Sequence, residues 1–210
     1  MAVQSTELVV EETGSRSAEL VFGSIDGLFS VLGIISAAGS AALIPVQIFA
    51  TGVGGAVAGA LSVFAAVYLS ETHEKKTQLL EAITRTNRQR SRQTNGNKKR
   101  HVPITTEHPK IHRLLGKINR RALGSGIVTA ITSALASLLL LFPLVLFPET
   151  YAVTASIIIG VMMLFLLGAF RGVTLKQSAA KSALKMVVLG ILVILASKIL
   201  GSYVLKLVSQ

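Results

Sequence analysis

The sequence predicts an all-α integral membrane protein: five transmembrane helices, with a short basic cytoplasmic loop domain between the second and third. Three observations predict it. Of 210 residues, 51% are hydrophobic, and the mean hydropathy is +0.63, more apolar than an ordinary soluble domain of this size. The apolar residues gather into five windows, each long enough for the roughly 20 residues of helix that cross a bilayer. The charges are segregated, with 14 of the 21 Lys and Arg inside residues 71–121.

Residues 1–19 carry Glu7, Glu11, Glu12 and Glu19 against Arg16 alone. A secretory leader would begin basic and pass directly into a short apolar core, so this segment is expected to be a polar, mobile cytoplasmic tail. Residues 20–70 form a transmembrane hairpin, whose first span covers about 20–39 and whose second covers about 46–70, after Pro45. The basic loop follows over 71–121. Its middle, RTNRQRSRQTNGNKKRHVP, is poor in apolar residues and reads as disordered. Residues 122–208 hold the last three spans, over about 122–147, 151–170 and 184–205, with Pro148-Glu149 closing the third. Each span must be helical, because lipid offers no partner to an open backbone group.

Basic residues set the orientation. Arg171, Lys176 and Lys181 lie between spans four and five, with Lys185 at the edge of that turn, and the connections after spans one and three hold no Lys or Arg. Both basic loops are therefore expected in the cytoplasm, with the N-terminus beside them and the C-terminus on the opposite side. The basic loop serves that topology and suits anionic lipid. It lacks the aromatic platforms of a nucleic-acid binder. The chain has no cysteine, which excludes disulfides, thiolate metal sites and cysteine nucleophiles. No span carries a catalytic pair, so an enzyme is not expected, nor is any cofactor.

Asp26 is the exception within the apolar spans. A carboxylate near mid-membrane costs at least ~2.5 kcal/mol, and such residues usually face a cavity or a partner. In the first span Asp26, Ser30, Gly33, Ala37 and Ser40 recur at helical spacing as one small or polar stripe. In the second, Gln47, Thr51, Gly55, Ser62 and Ala66 do much the same, and Gly23-xxx-Gly27 and Gly55-xxx-Gly59 permit close helix approach. Glu71, His73 and Glu74 could extend the second span at the cytoplasmic mouth, and Glu107, His108 and His112 could cluster. For both groups, solvated loop residues are the plainer reading. Met162, Met163 and Met186 read as packing filler, and Lys198 as a side chain that snorkels to the far interface.

Span one reads VFGSIDGLFSVLGIISAAGSA and span two TGVGGAVAGALSVFAAVYLSE; the last two run LFLLGAFRGVTLKQSAAKSALKMVVLGILVILASKILGSYV. Together these resemble the vacuolar iron transporter family, which includes the yeast vacuolar iron/manganese importer and the plant nodulin-like proteins. The FGxxDG opening and the AGALS segment are the most specific parts. The resemblance covers all five spans and stops at the polar loop. It implies five membrane helices in a homodimer that moves Fe2+ or Mn2+ out of the cytosol in exchange for protons. It also implies that Asp26 lies on the metal path, and Ser30, Thr51 and backbone carbonyls would complete the shell.

Two departures go with the resemblance. Relatives usually follow AGALS with a methionine and then place a glutamate just before the tyrosine; here those positions are Val63 and Val67, ahead of Tyr68. Where many relatives have a glutamate-rich loop that gathers metal, this loop is basic, which repels cations. The alternative is therefore a scaffold without iron transport, moving another solute or acting as a membrane structural or regulatory partner. The short tails favour a prokaryotic inner membrane over a vacuole.

Overall fold

The computed structural model describes residues 2–93, 109–174 and 176–208, with side chains over 20–81, 84, 115–174 and 176–207. The elements are α1 (Ala2–Ser40), α2 (Pro45–Gln93), α3 (Pro109–Leu141), a one-turn α4 (Pro143–Leu146), α5 (Glu149–Thr174) and α6 (Ala179–Val208). Among the described residues there is no strand. Five helical stretches are long and apolar enough to cross a membrane: Leu20–Ser40, Pro45–Glu81, Leu115–Leu146, Glu149–Thr174 and Ala179–Leu207. The chain is a multi-pass membrane protein.

The helices run further than the apolar windows. The backbone of residues 2–19 is helical and continuous with the first span, in place of a mobile tail. Residues 71–93, expected as loop and in part as disordered, continue α2. They contain no Gly or Pro and are rich in Glu, Lys, Gln, Leu and Arg, residues that lose little rotamer freedom in a helix. Lys75 donates to Glu71 at 3.3 Å and Gln78 donates to Glu74 at 3.2 Å, both i,i+4 pairs that support it. The rest of the predicted disordered segment, residues 94–103, lies outside the described residues.

The chain divides into two compact units. One comprises α2 from Ala65 onward and α3 as far as Ile127. The other holds α1, the remainder of α2 and α3, and α4–α6. In the latter unit α1 is the central helix. Half of its apolar window is buried, against 17–44% for the other four. Leu28, Leu32 and Ile35 of α1 are fully buried in a cluster with Ile48 of α2, Leu140 and Leu141 of α3, Leu144 of α4 and Leu164 of α5. Met186 of α6 packs with Val21 and Ile25, and Met163 against the main cluster, whereas Met162 is exposed.

Close packing in this unit depends on small residues. A Cβ on Gly23 or Gly27 would overlap the carbonyl oxygens of Thr129 and Ser133, so the α1 and α3 backbones touch along this seam. Ser137 Oγ donates to the carbonyl of Gly27 at 3.1 Å in the buried interface. On the other side, Gly201 of α6 lies against the carbonyl of Ala37, and Ser40 Oγ donates to the carbonyl of Lys198 at 3.2 Å. In α2, Gly55 accepts the side chain of Ile34, but the space beside Gly59 is open. Only one glycine of that predicted pair therefore works as a contact within the chain.

Two helix ends close without the usual glycine. Ala42, after α1, has φ 57°. There the Leu43 N–H reaches the Ala38 carbonyl at 3.2 Å and the Ala42 N–H the Gly39 carbonyl at 3.3 Å. Lys176 after α5 repeats the pattern with φ 53° and a Gln177 N–H to Gly172 carbonyl bond of 2.8 Å. These are Schellman closures, in which a side chain at the left-handed position carries a steric cost.

The packing yields three expectations, all readable in thermal unfolding followed by circular dichroism. Gly27→Val should lower the midpoint strongly, since backbone cannot yield to a new side chain (overpacking costs about 1–3 kcal/mol). Ser137→Ala should cost only about 0.6 kcal/mol, the average for interhelical bonds in membranes. In contrast, Ala42→Gly should raise the midpoint by relieving the left-handed strain.

Candidate ion site on α1

Asp26 sits on α1 between Gly23 and Gly27, but on a different side of the helix. At 100° per residue it shares its face with Ser30, Gly33, Ala37 and Ser40, the stripe read from the sequence. The structure divides that stripe in two. Its C-terminal half is a packing seam on α6, formed by Gly33 near Ser197, Ala37 beneath Gly201 and Ser40 on the Lys198 carbonyl. Its N-terminal half is not covered: Asp26 is half-buried and Ser30 exposed, with Phe22 exposed one turn earlier. Asp26 has no hydrogen-bonding or ionic partner among the described residues. It is an acceptor-only carboxylate on the open part of the central helix.

The other predicted ligands do not gather around it. Gly55 of α2 packs on Ile34 of α1, and the two helices run antiparallel across the short turn at 41–44. That register puts Val63 at the level of Asp26 and Thr51 about 18 Å further along. The Thr51 hydroxyl donates to its own helix, at the Gln47 carbonyl, 2.8 Å away. Val63 is buried, at 7% exposure, so α2 brings an aliphatic side chain to that level.

The residues predicted for the cytoplasmic mouth lie in the unit that begins at Ala65. There Glu71 is a structural brace. Its Oε1 accepts from Ser125 Oγ of α3 at 2.7 Å and its Oε2 from Lys75 at 3.3 Å. Glu74 bonds to Gln78, and His73 is exposed. Among the described residues no three His, Cys, Asp or Glu side chains come together as a metal site. Glu107 and His108, and the side chain of His112, lie outside the described residues. Around Asp26 the described residues of one copy thus offer an ion one carboxylate and the Ser30 hydroxyl, where a divalent cation normally takes about six oxygen ligands.

Along these elements the VIT family profile matches residues 18–107 and 104–202, which together hold the first four apolar stretches and most of the fifth. The chain belongs to the VIT family, the vacuolar iron transporters. VIT membership points to movement of metal ions across a membrane, and to a transporter in place of an enzyme. The chain is also 28% identical over 176 residues to an uncharacterised protein of Methanocaldococcus jannaschii, covering 84% of this chain and 82% of that one.

Within this VIT-family chain the reading of the sequence passed over one polar feature. Ser125, Thr129, Ser133 and Ser137 recur at every fourth position of α3, and all four are buried. The i,i+4 spacing was the available signal. Ser137 bonds the Gly27 carbonyl and Ser125 bonds Glu71, while the Ser36, Ser133 and Ser156 hydroxyls are buried with no hydrogen-bond partner among the described residues.

The Glu71 brace can be tested by hydrogen exchange. Glu71→Ala removes the Ser125–Glu71 hydrogen bond between α2 and α3, a loss of about 1 kcal/mol. Amide exchange in residues 65–80 should accelerate, with no dependence on added Mn2+.

Proposed function

We propose that the protein is a proton-coupled transporter that moves Fe2+ or Mn2+ out of the cytosol, with Asp26 as the group that takes the ion and the proton by turns. The observation that carries the proposal is the open half of the α1 stripe: an acidic side chain within a span, half-buried, with a hydroxyl at Ser30 one turn on. Intramembrane carboxylates mark ion pathways and proton relays. VIT membership supports the metal-ion class. The chemistry suits Mn2+ and Fe2+, which accept oxygen ligands. Because a ligand must be deprotonated to bind, a proton arriving from the far side releases the ion, and proton loss toward the cytosol restores the carboxylate. In this reading the N-terminus and the basic region face the cytoplasm, the C-terminus the opposite side, and the membrane is a prokaryotic inner membrane.

The same open face supports a homodimer. One Asp26 is a thin site, and two copies packing their uncovered α1 faces together would line one path with two carboxylates and two Ser30 hydroxyls. That arrangement would also take the carboxylate away from lipid. Thr51 plays no part in it, given its distance along α2.

Val63 favours a second reading, a VIT scaffold without iron transport. It fills the level of Asp26 with a buried aliphatic side chain, and Val67 follows it, so α2 brings neither thioether nor carboxylate. Flux decides between the two readings. In proteoliposomes with an imposed pH gradient, Fe2+ or Mn2+ uptake by the wild type should fall to background in Asp26→Asn. Absence of flux for both ions in folded, dimeric wild-type protein would leave only the scaffold reading standing.

A further inference from the structure

The end of α6 carries charge where a lipid-facing helix should carry none. Lys198 is exposed and lies nine residues before Leu207, the last residue of the span, or about 14 Å along the axis. Around it Leu195, Ile199, Leu200 and Val204 are 52–69% exposed, the composition of a surface that faces acyl chains. Lys198 forms no ion pair with an acidic side chain among the described residues. An ammonium in this setting is expensive unless it snorkels to the interface or meets an anion.

A groove of about 350 Å³ opens at this place, lined by Lys198, Ile199, Ser202, Tyr203 and Lys206. Lys198, Ser202 and Lys206 follow one another at four-residue steps, so two ammonium groups flank a hydroxyl over about 12 Å of helix. Tyr203 is 63% exposed and brings a phenolic O–H beside them, as aromatic side chains do at the headgroup level. The donors of this groove are Lys, Ser and Tyr, and among the described residues no carboxylate lines it. Its apolar continuation along Ile199 and Leu195 points toward mid-membrane, where an acyl chain would lie.

We propose that this groove binds the phosphate of an acidic phospholipid. Lys198 and Lys206 hold the phosphate oxygens from either side, Ser202 and Tyr203 donate to them, and one acyl chain follows Ile199 and Leu195. The lipid supplies a counter-charge to Lys198, which has no acidic partner among the described residues, and it is independent of the ion chemistry at Asp26. A free phosphate ion would satisfy the lysines but leave the apolar part of the groove empty.

The test is lipid retention. Full-length protein is reconstituted in phosphatidylcholine nanodiscs doped with phosphatidylglycerol, and lipid kept after mild detergent extraction is counted by native mass spectrometry. Wild type should retain phosphatidylglycerol in preference to phosphatidylcholine. Each of Lys198→Gln and Lys206→Gln should weaken retention about fivefold, from ~1 kcal/mol per basic residue near the surface. The Lys198→Arg/Lys206→Arg double variant should keep it. Lys181→Gln/Lys185→Gln, exposed at the other end of the same helix, should not affect it. Equal retention of the two lipids, or retention that survives Lys198→Gln/Lys206→Gln, would overturn the proposal. So would competition by millimolar inorganic phosphate alone, which would assign the site to a free anion. Loss of lipid only when the oligomer changes in pure phosphatidylcholine would assign the groove to a second copy of the chain.

Discussion

The rest of the membrane unit depends on backbone-to-backbone contact between α1 and α3. In lipid there is little hydrophobic drive to bring helices together, and association rests on van der Waals contact and on bonds made at short range. Gly23 and Gly27 permit that range, against the Thr129 and Ser133 carbonyls, and Ser137 closes it with a bond to Gly27. With α1 held there, Leu28, Leu32 and Ile35 reach partners from α2 to α5, and Gly201 can settle on the Ala37 carbonyl. Asp26 is fixed between the two glycines of the seam, and its direction out of the bundle follows from theirs.

The position of the carboxylate is thus a by-product of packing, and so is its isolation. A helix that gives one face to α3, one to the apolar core and the far half of a third to α6 has a short stretch of that third face left uncovered among the described residues. That stretch is where Asp26 and Ser30 lie. An ionisable group placed on a surface of that kind remains reachable by water or by another copy, yet stays anchored by the most rigid contact of the bundle.

Much of this was legible in the sequence. The five spans came from composition alone, because the bilayer demands long apolar helices, and Gly23-xxx-Gly27 announced the close seam by its spacing. The length of α2 beyond residue 70 was not legible from hydropathy, since polarity was taken for loop although residues 71–93 lack any helix breaker. The role of Glu71 was hidden for another reason: its partner, Ser125, is 54 positions away, and no local pattern announces a contact of that range. Thr51 was misplaced in the same way. A stripe drawn on α2 gives the face but not the height, and only the contact of Gly55 with Ile34 sets the register.

Pro143 separates α3 from α4, and its ring nitrogen has no hydrogen to give the Leu139 carbonyl. The helical ladder of the third span is interrupted there. Tyr151, 66% exposed at the start of α5, stands just after it in the chain. From Tyr151 to Arg171, in the last turn of the same helix, the axis runs about 30 Å, the thickness of a bilayer's oily interior. The apolar part of α5 between these two residues is therefore long enough to cross a membrane of ordinary thickness.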